Sequence, residues 1–262
     1  MRFLKLTLSY LGTAYAGWQR QPQRVTVQSV LERALLQVTG ERIRTVAAGR
    51  TDAGVHALRQ VVSCATHSSL TNEVLHRALN ACLPQDICVL SVEDAPEGFH
   101  AVRASVGKRY RYLLQTGPLR DVFALDRIWH VWYPLDVEQM QAAAAYLVGE
   151  HDFRSFQTGG SPRKHTVRCV RELIIQSTAS LAGQRIAVDM EANGFLYNMA
   201  RNIVGTLVEV GRGKLKPSDV ARILDAADRR RAGPTAPPHG LYLVDVQLQW
   251  MPPPSQQGDT SQ

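Results

Sequence analysis

The sequence predicts an α+β protein. Two ferredoxin-like, or RRM-like, βαββαβ lobes share a mainly antiparallel sheet, with helices on one face and a cleft between the lobes. Between residue 3 and about 94 the hydrophobic periodicities run strand, helix, strand, strand, helix, strand. The same order returns between 103 and 249, as a likeness of elements rather than of residues. The chain has 262 residues, 45% of them hydrophobic and 20% charged, enough for one elaborate domain or two modest lobes and too long for a minimal binding module.

Leu4, Leu6, Leu8 and Tyr10 alternate with Lys5, Thr7 and Ser9, the pattern of a strand with one buried face, which Gly12 closes. Val27, Val30, Leu31, Ala34, Leu35 and Val38 lie on one face of a helix that Gly40 ends. Strands are expected at Arg42 to Ala47 and at Gln60 to Thr66. A helix then opens on Thr71, carries Val74, Leu75, Ala78, Leu79 and Cys82 on one side, and stops before Pro84. Ile87 to Val92 is the last strand of this lobe. The second half offers strand Arg103 to Gln115, helix Val137 to Val148, strands Val167 to Gln176 and Arg185 to Ala192, helix Phe195 to Val210, and strand Leu241 to Gln249. A further helix, Ser218 to Asp228, and after it a long loop from Arg229 to His239 precede the last strand. The expected division is an N-terminal lobe over 1–102 carrying the polar loop 49–56, a C-terminal lobe over 103–251, and a disordered tail over 252–262, rich in Pro, Ser, Gln and Gly.

Thirty Lys and Arg against 23 Asp and Glu give a net charge of +7 and a pI near 9.5, which favours a polyanionic partner. Cys64, Cys82, Cys88 and Cys169 form no C-x-x-C pair and read as reduced thiols, not as a disulfide scaffold. Neither a signal peptide nor a membrane span is visible, so a cytoplasmic protein without membrane attachment is expected.

Gly49-Arg50-Thr51-Asp52-Ala53-Gly54-Val55-His56 forms a polar bend between two strands, a mount suited to a reactive group. An Asp in such a bend ordinarily bonds to nearby amides. Asp52, however, has Arg50 close by, and Arg201 stands in an unusually apolar helix where a guanidinium needs a partner. A pair between Arg201 and Asp52 would either hold the carboxylate ionised and oriented for chemistry or merely stabilise the fold. The run Lys108, Arg109, Tyr110, Arg111, Tyr112 places Tyr110 and Tyr112 on one strand face, where a ring can stack on a base with arginines on phosphates. Basic stretches at Arg163, Lys164, His165 and Arg168, at Arg229 to Arg231, and around His100 and Arg103 suit phosphate contact. The Gly211 to Leu215 segment is no P-loop, no G-x-S-x-G elbow occurs, and the eight histidines show no metal-ligand spacing with the cysteines.

Taken together, these residues resemble the tRNA pseudouridine synthases of the A type over essentially the whole chain to about residue 250. The most specific element is the segment Gly49 to His56. Supporting it are Tyr15-Ala16-Gly17-Trp18-Gln19-Arg20-Gln21, Phe99-His100-Ala101 with Arg103, Arg109-Tyr110-Arg111-Tyr112, Asp152-Phe153 with Ser155-Phe156, and Asn193-Gly194-Phe195 leading to Met199, Arg201, Asn202 and Gly205. The resemblance implies Asp52 as nucleophile, Tyr110 against the flipped uridine, Arg201 paired with Asp52, and Arg50 helping to evict the base. It implies tRNA contacts through Phe99, His100, Ala101, Val102 and Arg103 and through Gly160, Ser161, Pro162, Arg163 and Lys164. It further implies a homodimer that acts on uridines 38 to 40 of the anticodon stem-loop and needs no metal or organic cofactor. Leu11 and Arg59 depart from the family pattern, which usually has Asp and Gly there. Two other readings of the residues are a non-catalytic RNA-binding protein and a metal-free enzyme acting on a small phosphorylated substrate in a closed cleft.

Overall fold

A computed structural model describes residues 1–159, 165–180 and 183–249. In chain order it contains β1 (Arg2–Tyr10), α1 (Val27–Thr39), β2 (Val46–Ala47), β3 (His56–Thr66), α2 (Asn72–Cys82), β4 (Ile87–Ala95), α3 (Ala101–Ala104) and β5 (Ser105–Thr116). There follow β6 (Trp129–Val131), α4 (Val137–Ala145), β7 (Gly149–Asp152), β8 (Val167–Ser180), β9 (Gly183–Ala192), α5 (Met199–Gly211), α6 (Asp219–Ala226) and β10 (Leu241–Leu248).

Local chemistry fixes the helices. Thr26 and Ser29 form a reciprocal capping box at the start of α1, and Gly40, left-handed at φ 74°, returns its N–H to the Leu36 carbonyl at the end. Thr71 caps α2 through the Val74 amide. On β1, Leu4, Leu6 and Leu8 are fully buried in a core that runs through both halves, each such leucine contributing roughly 1.5 to 3 kcal/mol.

All strands among the described residues belong to one sheet ordered β4-β1-β3-β10-β5-β9-β8-β7, with β2 also on β3 and β6 also on β5. The N-terminal half reads β4-β1-β3-β2 and the C-terminal half β10-β5-β9-β8, the same spatial order of first to fourth strand. The expected duplication is therefore present in topology. The halves meet on the edge of β3 that β1 does not occupy. There Tyr242 and Leu243 of β10 run parallel to His56 and Ala57, while Val46 and Ala47 of β2 pair antiparallel with Ser63 and Val62. The cleft opens where β2 and β10 diverge, and the loop from β2 to β3 crosses it.

Several elements differ from expectation for identifiable reasons. The strand expected from Arg42 shrinks to β2 because the Glu32 carboxylate takes the Thr45 N–H (2.9 Å) and hydroxyl (3.1 Å), removing them from the ladder. The strand expected from Gln60 begins at His56, across a bulge that sets Leu58 and Arg59 opposite Ser9. Helix α5 starts at Met199 instead of Phe195, since Asn198 is left-handed (φ 59°) and the apolar Phe195 and Leu196 pack from a loop. Short α3 replaces the start of the strand expected from Arg103, and β6 and β7 are additional. The segment Arg229 to His239 is no open loop: it holds two 3-10 turns, and Arg229 donates to the Gly233 carbonyl and Asn202 Oδ1, both at 2.9 Å.

Candidate active site

The Asp52 loop is held down on both flanks. The Trp18 N–H donates to the Thr51 carbonyl at 3.0 Å, and Ala48 N–H to the Val61 carbonyl at 2.8 Å. Gly17 makes the first approach possible: a Cβ there would lie 2.7 Å from the Thr51 oxygen, and its φ of +89° suits glycine. Behind the loop, His56 ties three segments together. Its Nδ1 accepts from the Gly12 N–H at 2.9 Å, and its Nε2 lies 3.0 and 3.1 Å from the carbonyls of Asp126 and His239. Since Nδ1 accepts, the proton resides on Nε2, and burial pushes the ring's pKa below its ordinary value despite the two carbonyls.

Arg201 and Asp52 meet, as their positions suggest. Arg201 Nη1 lies 3.6 Å from Asp52 Oδ2, with side chains 15% and 33% exposed. The guanidinium is itself fixed, Nε donating to the Ala236 carbonyl at 2.7 Å and Nη1 to Asn198 Oδ1 at 2.9 Å. Gly205 lets the 234–236 segment come this close, because a Cβ would fall 1.7 Å from the Pro234 oxygen. Burial pushes the Asp52 carboxyl up from its ordinary value, and the charge and hydrogen bond of Arg201 pull it part of the way back. The pair thus offsets part of a desolvation cost, and the carboxylate stays about a third open to solvent.

Asp52 looks into a cleft of about 1030 Å³. Tyr110 lines the same cleft, its ring edge-on to Phe195 with centroids 4.8 Å apart; burial pushes its hydroxyl well above the ordinary value, aided by the charges of Tyr10 and Asp52. Five cationic side chains, Arg44, Arg50, Lys108, Arg168 and Arg201, line the walls, and Asp52 is the one carboxylate among the described lining residues. Sequence reading had missed Arg44. Its alternation with Arg42 on an expected strand was the available signal.

The other expected contacts divide. Arg109 and Arg111 alternate with Tyr110 and so point to the opposite sheet face, where they pair with Glu172 at 2.8 Å and Asp189 at 2.9 Å; they are not placed for phosphates in the cleft. Arg59 pairs with Asp245 (3.3 Å), and Arg230 with Asp228 (2.8 Å), so the Arg229 to Arg231 stretch is largely engaged within the protein. Phe99 and Ala101 are buried; Val102 and Arg103 are exposed, and Val102 reaches the cleft wall. Gly160, Ser161, Pro162, Arg163 and Lys164 lie outside the described residues, while His165 and Arg168, next in sequence, line the cleft. Among the described residues no cluster of His, Cys, Asp and Glu could hold a metal ion, and no helix is long and apolar enough to cross a membrane.

A family model described as tRNA pseudouridine synthase matches residues 7–103 and 143–248. The tRNA pseudouridine synthase A of Moorella thermoacetica is 48% identical over 249 residues, covering 94% of this chain and 100% of that protein. The enzymes of the same name from Thermoanaerobacter sp. (strain X514) and Myxococcus xanthus are 45% and 43% identical, over 94% and 98% of this chain and 99% and 96% of theirs. The chain belongs to the tRNA pseudouridine synthase A family. It is accordingly an isomerase. Asp52 and Arg201 fall inside the matched segments and Tyr110 between them, so the cleft is built from both matched parts and from the β5 strand that joins them. A large cleft rich in cations also disfavours the small closed site of the phosphorylated-metabolite reading.

Proposed function

We propose that this chain converts uridines 38, 39 and 40 in the anticodon stem-loop of tRNA to pseudouridine, with Asp52 as its catalytic carboxylate, and that it does so as a cytoplasmic homodimer. The observation that carries the reading is a single carboxylate, paired with Arg201, among five cations in the described cleft lining. Such a cleft attracts the phosphate backbone, while the single anion is what the chemistry needs.

The reaction breaks the bond from ribose C1′ to uracil N1 and forms one from C1′ to C5; the C5 proton leaves and N1 gains one. Atoms and electrons balance without any oxidant or reductant. An ionised Asp52 starts it by attacking the sugar or the base, or by taking a sugar proton so that a glycal forms. The target atoms are inaccessible in a stacked stem, so the nucleotide flips into the cleft at a cost of a few kcal/mol, roughly what stacking and phosphate contacts return. Tyr110, backed by Phe195, supplies a ring for the extruded uracil, and Arg50 helps to push the base out, a role its exposure on the loop beside Asp52 supports. Val102 and Arg103 contact tRNA, with His100, Phe99 and Ala101 shaping that surface, and Gly160 to Lys164 are proposed as tRNA contacts from the sequence alone. The lobes 1–102 and 103–251 then serve as the two jaws.

The test is release of tritium from tRNA transcribed with 5-tritiated uridine. Release that requires Asp52 supports the proposal, and binding without release returns the chain to the RNA-binding reading.

A further inference from the structure

Resting on Asp52 as the reacting carboxylate, we propose that Tyr10, Thr51 and Gln60 form a buried hydrogen-bond chain that positions it, with Thr51 as the link to the cleft. Tyr10 and Gln60 stand on adjacent strands and are 3% and 0% exposed, and neither lines the cleft, so neither touches RNA. Gln60 Nε2 donates to the Gly49 carbonyl at 2.7 Å and, more weakly, to the Tyr10 hydroxyl at 3.4 Å. The Tyr10 oxygen lies 2.8 Å from Thr51 Oγ1.

Gln60 Nε2 donates to the Tyr10 oxygen, and Thr51 Oγ1 lies within reach of the Tyr10 proton. Either hydroxyl of the Tyr10–Thr51 pair can donate; when Tyr10 does, the Thr51 proton is available to the cleft wall that Thr51 helps to form next to Asp52. Asp52 itself has a 3.6 Å ion pair with Arg201, a contact too long to fix its orientation alone. Orientation therefore comes from the loop. Gly49 is held through its carbonyl by Gln60, and Thr51 through its carbonyl by Trp18 and its hydroxyl by Tyr10. The β1–β3 bulge at Ser9 lies between the pairings of Gln60 and Tyr10 and sets the spacing of the two side chains.

The test uses Tyr10→Phe, Thr51→Val and Thr51→Ser in the full chain, with tritium release giving kcat and KM for tRNA and thermal melting reporting the fold. Tyr10→Phe and Thr51→Val should each lower kcat by about ten- to a hundredfold, the effect of misplacing a reacting group, with KM for tRNA nearly unchanged. Thr51→Ser should recover most of the rate, and the Tyr10→Phe/Thr51→Val double variant should be no slower than the slower single one. Wild-type kcat in both Tyr10→Phe and Thr51→Val, with Asp52→Asn inactive, would overturn the chain alone. A rate loss that Thr51→Ser fails to recover, or that simply follows a lowered melting temperature, would overturn it as well. Activity in Asp52→Asn would instead sink the reading beneath it.

Discussion

Replacing Arg201 with Met probes the electrostatics of the cleft most sharply. At 3.6 Å and an effective dielectric near 20, the Coulomb attraction to Asp52 is about 4 to 5 kcal/mol before desolvation. With the carboxylate a third exposed, solvent screening leaves a net value between the roughly 1 kcal/mol of an exposed pair and the roughly 3 of a buried one. Arg201 also donates to the Ala236 carbonyl and Asn198 Oδ1, so its removal strips two charge-assisted bonds, worth about 1.5 to 3 kcal/mol each. These contributions are not additive, because removing the guanidinium also recovers its own desolvation, so a stability loss of about 3 to 5 kcal/mol is expected by denaturant titration. The activity change has a definite sign. Burial already raises the Asp52 carboxyl and Arg201 lowers it, so Arg201→Met raises it further and the acid limb of kcat/KM moves to higher pH. Arg201→Lys should preserve more of the limb than of the stability, since it keeps charge but loses the fork. A stable Arg201→Met enzyme with an unchanged acid limb and only weaker tRNA binding would make Arg201 a phosphate contact and refute the pairing.

Other outcomes follow from the same geometry. Asp52 has a raised folded pKa, so it favours the fold when protonated and loses that contribution as pH rises through its pKa; Asp52→Asn should melt no lower than wild type at pH 8, with any advantage shrinking toward acid. His56 has a lowered pKa, so the fold gains from its neutrality above the ordinary value of about 6.5 and loses that gain as pH falls; His56→Gln should flatten the drop in melting temperature measured over that range. Tyr110→Phe should keep tRNA affinity, losing turnover only if the hydroxyl moves a proton, while Tyr110→Leu should lose both; full activity in both variants would exclude the residue from the site. Arg44→Ala or Arg50→Ala should each reduce the slope of log binding constant against log salt by about 0.7 to 0.9, and Arg109→Ala on the opposite face should leave it unchanged.

The architecture was legible because its signals are local: alternation on β1, the Thr71 cap of α2, and Gly40 at the end of α1. Elements that tertiary contacts decide were not. Glu32 shortens β2 from a neighbouring helix, and a left-handed Asn198 delays α5 although Phe195 and Leu196 imitate a helical stripe. At the site, Arg201 stood out as a charge in an apolar helix. Tyr10 and Gln60 did not, because on a strand they look like ordinary members of an alternating pattern, and only the sheet brings them beneath the loop. Arg109 and Arg111 misled in the opposite way: composition showed cations, but the strand turns them toward acids on the far face.

The most direct measurement is a map, at nucleotide resolution, of pseudouridine in unmodified tRNA after incubation with the purified chain and with Asp52→Asn. New pseudouridine at positions 38 to 40 with the wild type, and none with Asp52→Asn although it still binds tRNA, is the expected result. Pseudouridine confined to another region of the tRNA, or formed equally well by Asp52→Asn, would contradict it.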